Sequence, residues 1–159
     1  MMNATRNYTS ESVRPALEDE LASSSHFIPE TVPAYAAREV FERLRQAPGY
    51  QSFFYTEATL NPTNLRDKAD SFESELIADF RKRPDLAELS GYRLRGGSRV
   101  LYIAQPLSVG RESCLRCHGR SADAPPSLVA TYGPDHGFGW KLGEIVSAQT
   151  IYVPAASVF

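Results

Sequence analysis

The chain has 159 residues, a formal net charge of −2, 42% hydrophobic residues and 23% charged residues. That is enough to bury a core without disulfide staples, and the balance is ordinary for a globular domain. It excludes the basic stripe of a nucleic-acid binder, and no apolar run reaches the length of a membrane span.

The N-terminal stretch "MMNATRNYTSESVRPALEDE" lacks the basic start and apolar core of an export leader. If the natural protein is exported, this chain is a fragment of it. Residues 3–22 carry Tyr8, Val13, Leu17 and Leu21 at scattered spacing, which predicts a modest amphipathic helix bent near Pro15. "ASSSHFIP" is a break. From 30 to 46, Val32, Ala36, Val40 and Leu44 recur every four residues, with Ala37 and Phe41 widening the face, so a second helix is expected there. The Ala-Pro-Gly at 47–49 stops it.

Residues 50–59 are rich in aromatics and Thr and predict a strand. "NPTN" at 61–64 is a turn cluster, followed by a helix cap at Asn64 or Asp67. A third helix is expected over 67–83, with Phe72, Leu76, Ile77 and Phe80 on one face and Pro84 as its end. "GYRLRGGSRVLYIAQPL" alternates on both sides of Gly96-Gly97, the pattern of a two-residue hairpin turn, and places strands within 90–106. A short helix near 127–132, a glycine-rich loop "YGPDHGFGWKLG" and a last strand over 144–153 complete the chain. No βαβ alternation occurs. The expectation is one α+β domain over 1–159, a small antiparallel sheet flanked by helices, with residues 1–25 as a helical extension. A PAS-like arrangement fits this order, as other α+β folds do.

Both cysteines and one of the three histidines fall inside "RESCLRCHGR": Cys114, Cys117 and His118. Three chemistries use such a unit. A redox dithiol wants the pair at a helix start in a βαβ setting, which the element order does not supply. A structural zinc site wants four ligands, and there is no second cysteine pair. Covalent attachment of haem c uses all three residues, two thioethers from the cysteines and an axial imidazole from the histidine. That reading leaves no thiol over. Arg116 and Arg120 flank the unit and suit haem propionates or plain solvent.

The segments "FIPETVPAYAAREVF", "EATLNPTNLRDKADSFE", "ESCLRCHGRSADAP" and "YGPDHGFGWKLGEIVSAQTIYVP" together resemble a family of haem-c PAS-like sensory domains found in bacterial signalling proteins, including cyanobacterial ones. The resemblance spans most of the chain. It implies a PAS-like fold, one haem c held by Cys114 and Cys117 with His118 as proximal ligand, and an extracytoplasmic, non-enzymatic sensor. It also implies a membrane-anchored parent protein with a signalling output domain, and pairing into a homodimer by analogy with PAS-like sensors. Some family members use an early cysteine as second axial ligand. This chain has none to spare, so that ligand is replaced or absent.

His26, just before the "FIPETVP" segment, lies near where the family cysteine falls and is the first candidate for the sixth ligand; His136 is a weaker one. Met1 and Met2 are the only methionines, which argues against His/Met ligation. Arg66 suits a propionate, since a guanidinium pairs carboxylates bidentately, although an exposed arginine explains it equally well. Trp140 is a candidate to stack on or near the macrocycle, against an ordinary core role. Tyr35, Tyr55 and Tyr102 are core residues first and pocket residues second. Two function classes follow: a haem sensor of redox state or of a small gas such as NO or CO, and an electron-transfer cytochrome with a redox partner.

Overall fold

The computed structural model describes residues 1–23 and 25–157. They form two compact units, Met1–Ser52 and Phe53–Phe159.

In the first unit a proline shapes the helix. Pro15 has no N–H, and its ring would strike the carbonyl four residues back in an α-helix. The chain answers with a wider turn. α1 (Met2–Tyr8) runs into a π-helical turn at Thr9–Val13, where the Arg14 N–H reaches back to the Thr9 carbonyl, and then into α2 (Arg14–Ala16). Leu17, at φ −111° and ψ 14°, ends that run. α3 (Glu18–Ser23) follows, and Ser24, within the expected break, lies outside the described residues. The expected bend near Pro15 is therefore a π-turn just before it. α4 (Pro33–Arg45) packs against α1. Its buried positions are Ala37 and Phe41, while Val40 is turned to solvent, so the apolar face centres one residue away from the expected stripe. The expected strand over 50–59 is shorter because residues 49–51 finish the helix: Arg45 donates to the Gln51 carbonyl, and the Gly49 N–H donates to Gln51 Oε1.

The second unit is a four-stranded sheet. β1 (Phe54–Thr59), β2 (Leu89–Arg95), β3 (Ser98–Ser108) and β4 (Ile145–Pro154) lie in the order β1-β4-β3-β2, every neighbouring pair antiparallel. This is the expected α+β, PAS-like sheet. The β2–β3 turn is Gly96-Gly97 with φ of +58° and +80°, positive values that only glycine adopts without strain. β4, last in sequence, is a central strand and is buried on both faces along most of its length.

α5 (Ser71–Lys82) crosses one face of the sheet. Leu76, Ile77 and Phe80 lie on Ala104 of β3 and Ala148 of β4, and small residues beneath the helix let it approach closely. Each large side chain sealed there contributes about 1.5–3 kcal/mol. The helix begins at Ser71 rather than 67 because its cap is Asp70. Asp70 Oδ1 accepts from the Glu73 N–H at 2.7 Å, and Glu73 Oε2 accepts from the Asp70 N–H at 3.1 Å, a capping box. Asn64 does cap, but it caps the separate 3-10 turn Leu65–Asp67.

Glu73 is buried, and its other oxygen accepts from Tyr152 Oη and Thr56 Oγ1, both at 2.9 Å. One carboxylate thus joins the helix cap to β1 and β4. Burial first, then the Glu73 charge, push the Tyr152 phenol above its usual range, so it stays a donor. Burial works against a charged Asp70. The Glu73 N–H and the Arg93 guanidinium, 3.0 Å away, outweigh it and hold the carboxyl below its ordinary value.

Asp70→Ala should cost about 1 kcal/mol of stability at neutral pH, read by urea denaturation. A carboxyl lowered in the folded state stabilises above the unfolded value of ~3.9 and stops doing so as pH falls through the folded one. The gap between wild type and Asp70→Ala should therefore narrow below about pH 4, and a gap that widens on acidification would contradict the capping network.

Candidate functional site

β3 loses its register against β4 between Leu107 and Ser108. Beyond that irregularity the chain leaves the sheet and returns only at β4. The two ends of this excursion are tied: the Val109 N–H donates to the Glu144 carbonyl at 2.9 Å, and the Gly143 N–H to the Val109 carbonyl at 2.8 Å. Residues 110–143 therefore form a loop closed at its neck. They include the Cys-x-x-Cys-His unit and the glycine-rich stretch.

Within the loop, a 3-10 turn (Glu112–Cys114) passes into α6 (Leu115–His118), and α7 (Pro126–Tyr132) follows. Cys117 is buried and Cys114 half-buried, as separate thiols rather than a disulfide. The three side chains leave a single helical run, with Gly119 ending it; a Cβ at Gly119 would meet the Leu115 carbonyl oxygen at 2.5 Å.

His118 is fixed from several sides. Its Nδ1 lies 2.8 Å from the Gly137 carbonyl oxygen. A carbonyl only accepts, so Nδ1 is the donor, and in the neutral ring the lone pair is then on Nε2. The indole of Trp140 stacks on the imidazole, with centroids 4.0 Å apart and planes 11° from parallel. Two backbone bonds lace the glycine-rich stretch to the histidine: Trp140 N–H to the His118 carbonyl at 3.0 Å, and Gly139 N–H to the Gly119 carbonyl at 2.7 Å.

The sequence reading did not single out Asn61. Its Oδ1 accepts from the Gly137 N–H at 3.0 Å, and its Nδ2 donates to the Phe138 carbonyl at 3.0 Å. Gly137 itself is buried at φ +80°, and a Cβ there would collide with Thr63. The only signal in the sequence was the Asn at the head of "NPTN", two residues past the end of β1, inside a segment already marked by family resemblance.

The remaining candidates are placed as follows. Arg66 is exposed, and its backbone N–H is held by Asn64. Arg116 is exposed, and Arg120 pairs at the surface with Asp123. Tyr55 donates to buried Glu57, and Tyr102 packs edge-on against Phe72, both within the second unit. Tyr35 lies in the first unit and is half-buried. His26 is exposed in the first unit, its Nδ1 3.1 Å from Ser25 Oγ. His136 is an exposed neighbour of Gly137. The structure thus brings Cys114, Cys117, His118 and Trp140 into one loop.

The model of the Tll0287-like family matches residues 1–154 of the chain. The chain belongs to the Tll0287-like family. The crystal structure of the cyanobacterial heme-protein Tll0287 matches it with a TM-score of 0.69, over 97% of this chain and 88% of that one, at 16% identity. No curated protein matches the chain. At that identity the likeness establishes the Tll0287 fold for the chain, and the chemistry rests on the chain's own residues.

Gly137→Ala should combine positive-φ strain with the Thr63 collision and cost about 1–3 kcal/mol. Urea denaturation together with the side-chain nitrogen shifts of His118 checks this. Wild-type stability and an unchanged Nδ1–H signal would mean that the loop does not hold the histidine as described.

Proposed function

We propose that the chain is a sensor domain carrying one covalently attached haem c, with Cys114 and Cys117 as thioether donors and His118 as the proximal ligand. The observation that carries this is the state of His118: Nδ1 is committed as a donor to a peptide carbonyl, so Nε2 is the nitrogen able to bind iron. The donor set fits haem better than a lone ion. Among the described residues no group of three or more His, Cys, Asp or Glu side chains is placed to hold one metal ion, whereas haem attachment asks the thiols and the imidazole for different atoms. The chain's membership of the Tll0287-like family and its structural match to a protein described as a heme-protein support the same reading.

The bound group would supply a one-electron redox change and a site for a small gaseous ligand such as NO or CO. The chain's own contribution is to hold the proximal side rigid through the Gly137 carbonyl, the Trp140 stack and the laced backbone. His26 is proposed as a second side chain that would hold the iron. Arg66 is proposed as a propionate partner and Trp140 as the residue that shields the proximal ring. No helix of the described residues is long and apolar enough to cross a membrane. The proposed setting is extracytoplasmic, since thioether formation needs reduced thiols and haem together on the outer side, within a longer membrane-attached signalling protein that pairs as a homodimer and itself performs no catalysis.

Expressed with an export leader in a host with haem-c maturation machinery, the protein should keep its colour through acid–acetone extraction, and Cys114→Ala with Cys117→Ala should lose it. Complete extraction from the wild type overturns the attachment. The ferrous protein should bind CO, and His26→Ala should change the ferric spectrum or the CO affinity. A ferrous protein that is six-coordinate and low-spin, refuses CO and NO, and exchanges electrons rapidly with a cytochrome partner would instead be an electron carrier.

A further inference from the structure

The peptide between Gly137 and Phe138 faces His118 and is held on both sides. Its oxygen, the Gly137 carbonyl, accepts from His118 Nδ1 at 2.8 Å. Asn61 holds the groups on either side of it: Oδ1 takes the Gly137 N–H, and Nδ2 gives to the Phe138 carbonyl, each at 3.0 Å. Both polar ends of one amide side chain are thus used on two consecutive residues, and the carbonyl between them is the one that orients the imidazole. We propose that Asn61 is a positioning residue for His118: its two-point grip fixes the plane of the Gly137–Phe138 peptide, and so the direction and strength of the Nδ1–H···O bond. The proposal rests on His118 being an iron ligand.

The chemistry follows from the bond that Asn61 steadies. A donor Nδ1–H engaged by a fixed acceptor makes the opposite nitrogen more basic and favours the more positively charged iron, and loss of such outer partners changes metal binding by about 10–100-fold. The acceptor is a neutral peptide, so the effect depends on alignment rather than on charge. The Gly139 and Trp140 N–H groups fix the main chain at 118–119, which does not by itself set the direction of the Nδ1–H bond. Trp140 restrains the ring plane from one side and offers no hydrogen-bond acceptor.

A neighbouring asparagine gives the control. Asn64 sits in the same turn, and its side-chain oxygen is used on the Arg66 N–H instead. Asn61→Ala should raise the reduction potential of the haem protein by an amount equal to about a tenfold shift in the ferric-to-ferrous ratio, ~59 mV. Asn61→Asp keeps the acceptor for Gly137 and should fall between; Asn64→Ala should leave the potential unchanged. In the wild-type protein, a coupling across the hydrogen bond between the Gly137 amide and Asn61 Cγ, with His118 as the Nδ1–H tautomer, should be seen by NMR, a readout that survives if Asn61→Ala does not fold. An unmoved potential in Asn61→Ala, an equal shift in Asn64→Ala, or a missing coupling overturns the proposal. Loss of all haem in acid–acetone would overturn the haem reading instead, and the coupling and tautomer would still decide what Asn61 does.

Discussion

The pairing of β4 with both β1 and β3 is what the second unit depends on. β1 and β3 are not paired with each other; β1 is hydrogen-bonded to β4 over Phe54–Thr59 and β3 from Val100 to Ser108. The polar network follows from this, because Tyr152 must sit in mid-sheet to donate to Glu73 beneath α5. So does the core, since Ala148 is one of the two small residues that admit the helix. The site follows as well. Asn61 lies just past β1, and the neck of the loop closes at Glu144 just before β4, so the grip on His118 exists only when β4 holds those two places in register. Ser147 and Thr59 reinforce that end with side-chain bonds to the Ala58 and Val146 carbonyls.

Much of this was legible in the sequence, for reasons that can be named. Gly96-Gly97 announced the hairpin because a two-residue turn demands two positive φ values, and few residues besides glycine accept them. Phe72, Leu76, Ile77 and Phe80 announced α5 because a helix on a sheet buries one stripe. The helix starts were harder. Asn64, Asp67 and Asp70 are all good caps, and the choice among them is made by Arg93 and by the reach of Glu73, both tertiary facts. The face of α4 was misjudged by one residue because Val40 and Phe41 are both apolar, and only packing decides between them.

The site divides in the same way. Cys114, Cys117 and His118 could be singled out directly, since three uncommon residues at this spacing stand out along the chain. Asn61 could not be, since it acts on Gly137 and Phe138 from far along the chain and looks locally like any turn asparagine. Trp140 was visible as an aromatic near the site, but its partner, the imidazole of His118, depends on a loop that doubles back. Residues whose role is local chemistry are visible in sequence; residues whose role is to hold another residue become visible only when the chain is folded.

The central place of the last strand bears on the order in which the molecule is made. Contacts between distant parts of a chain are slow to form, and synthesis releases the N-terminal parts first. Cys114, Cys117 and His118 leave the ribosome before any residue of β4, at a time when β1 and β3 have no strand to join them. The sheet cannot close, nor the loop neck be tied, until residues 143–154 arrive. The nascent chain therefore passes through an interval in which the segment carrying both thiols is complete while the sheet that closes its loop is not.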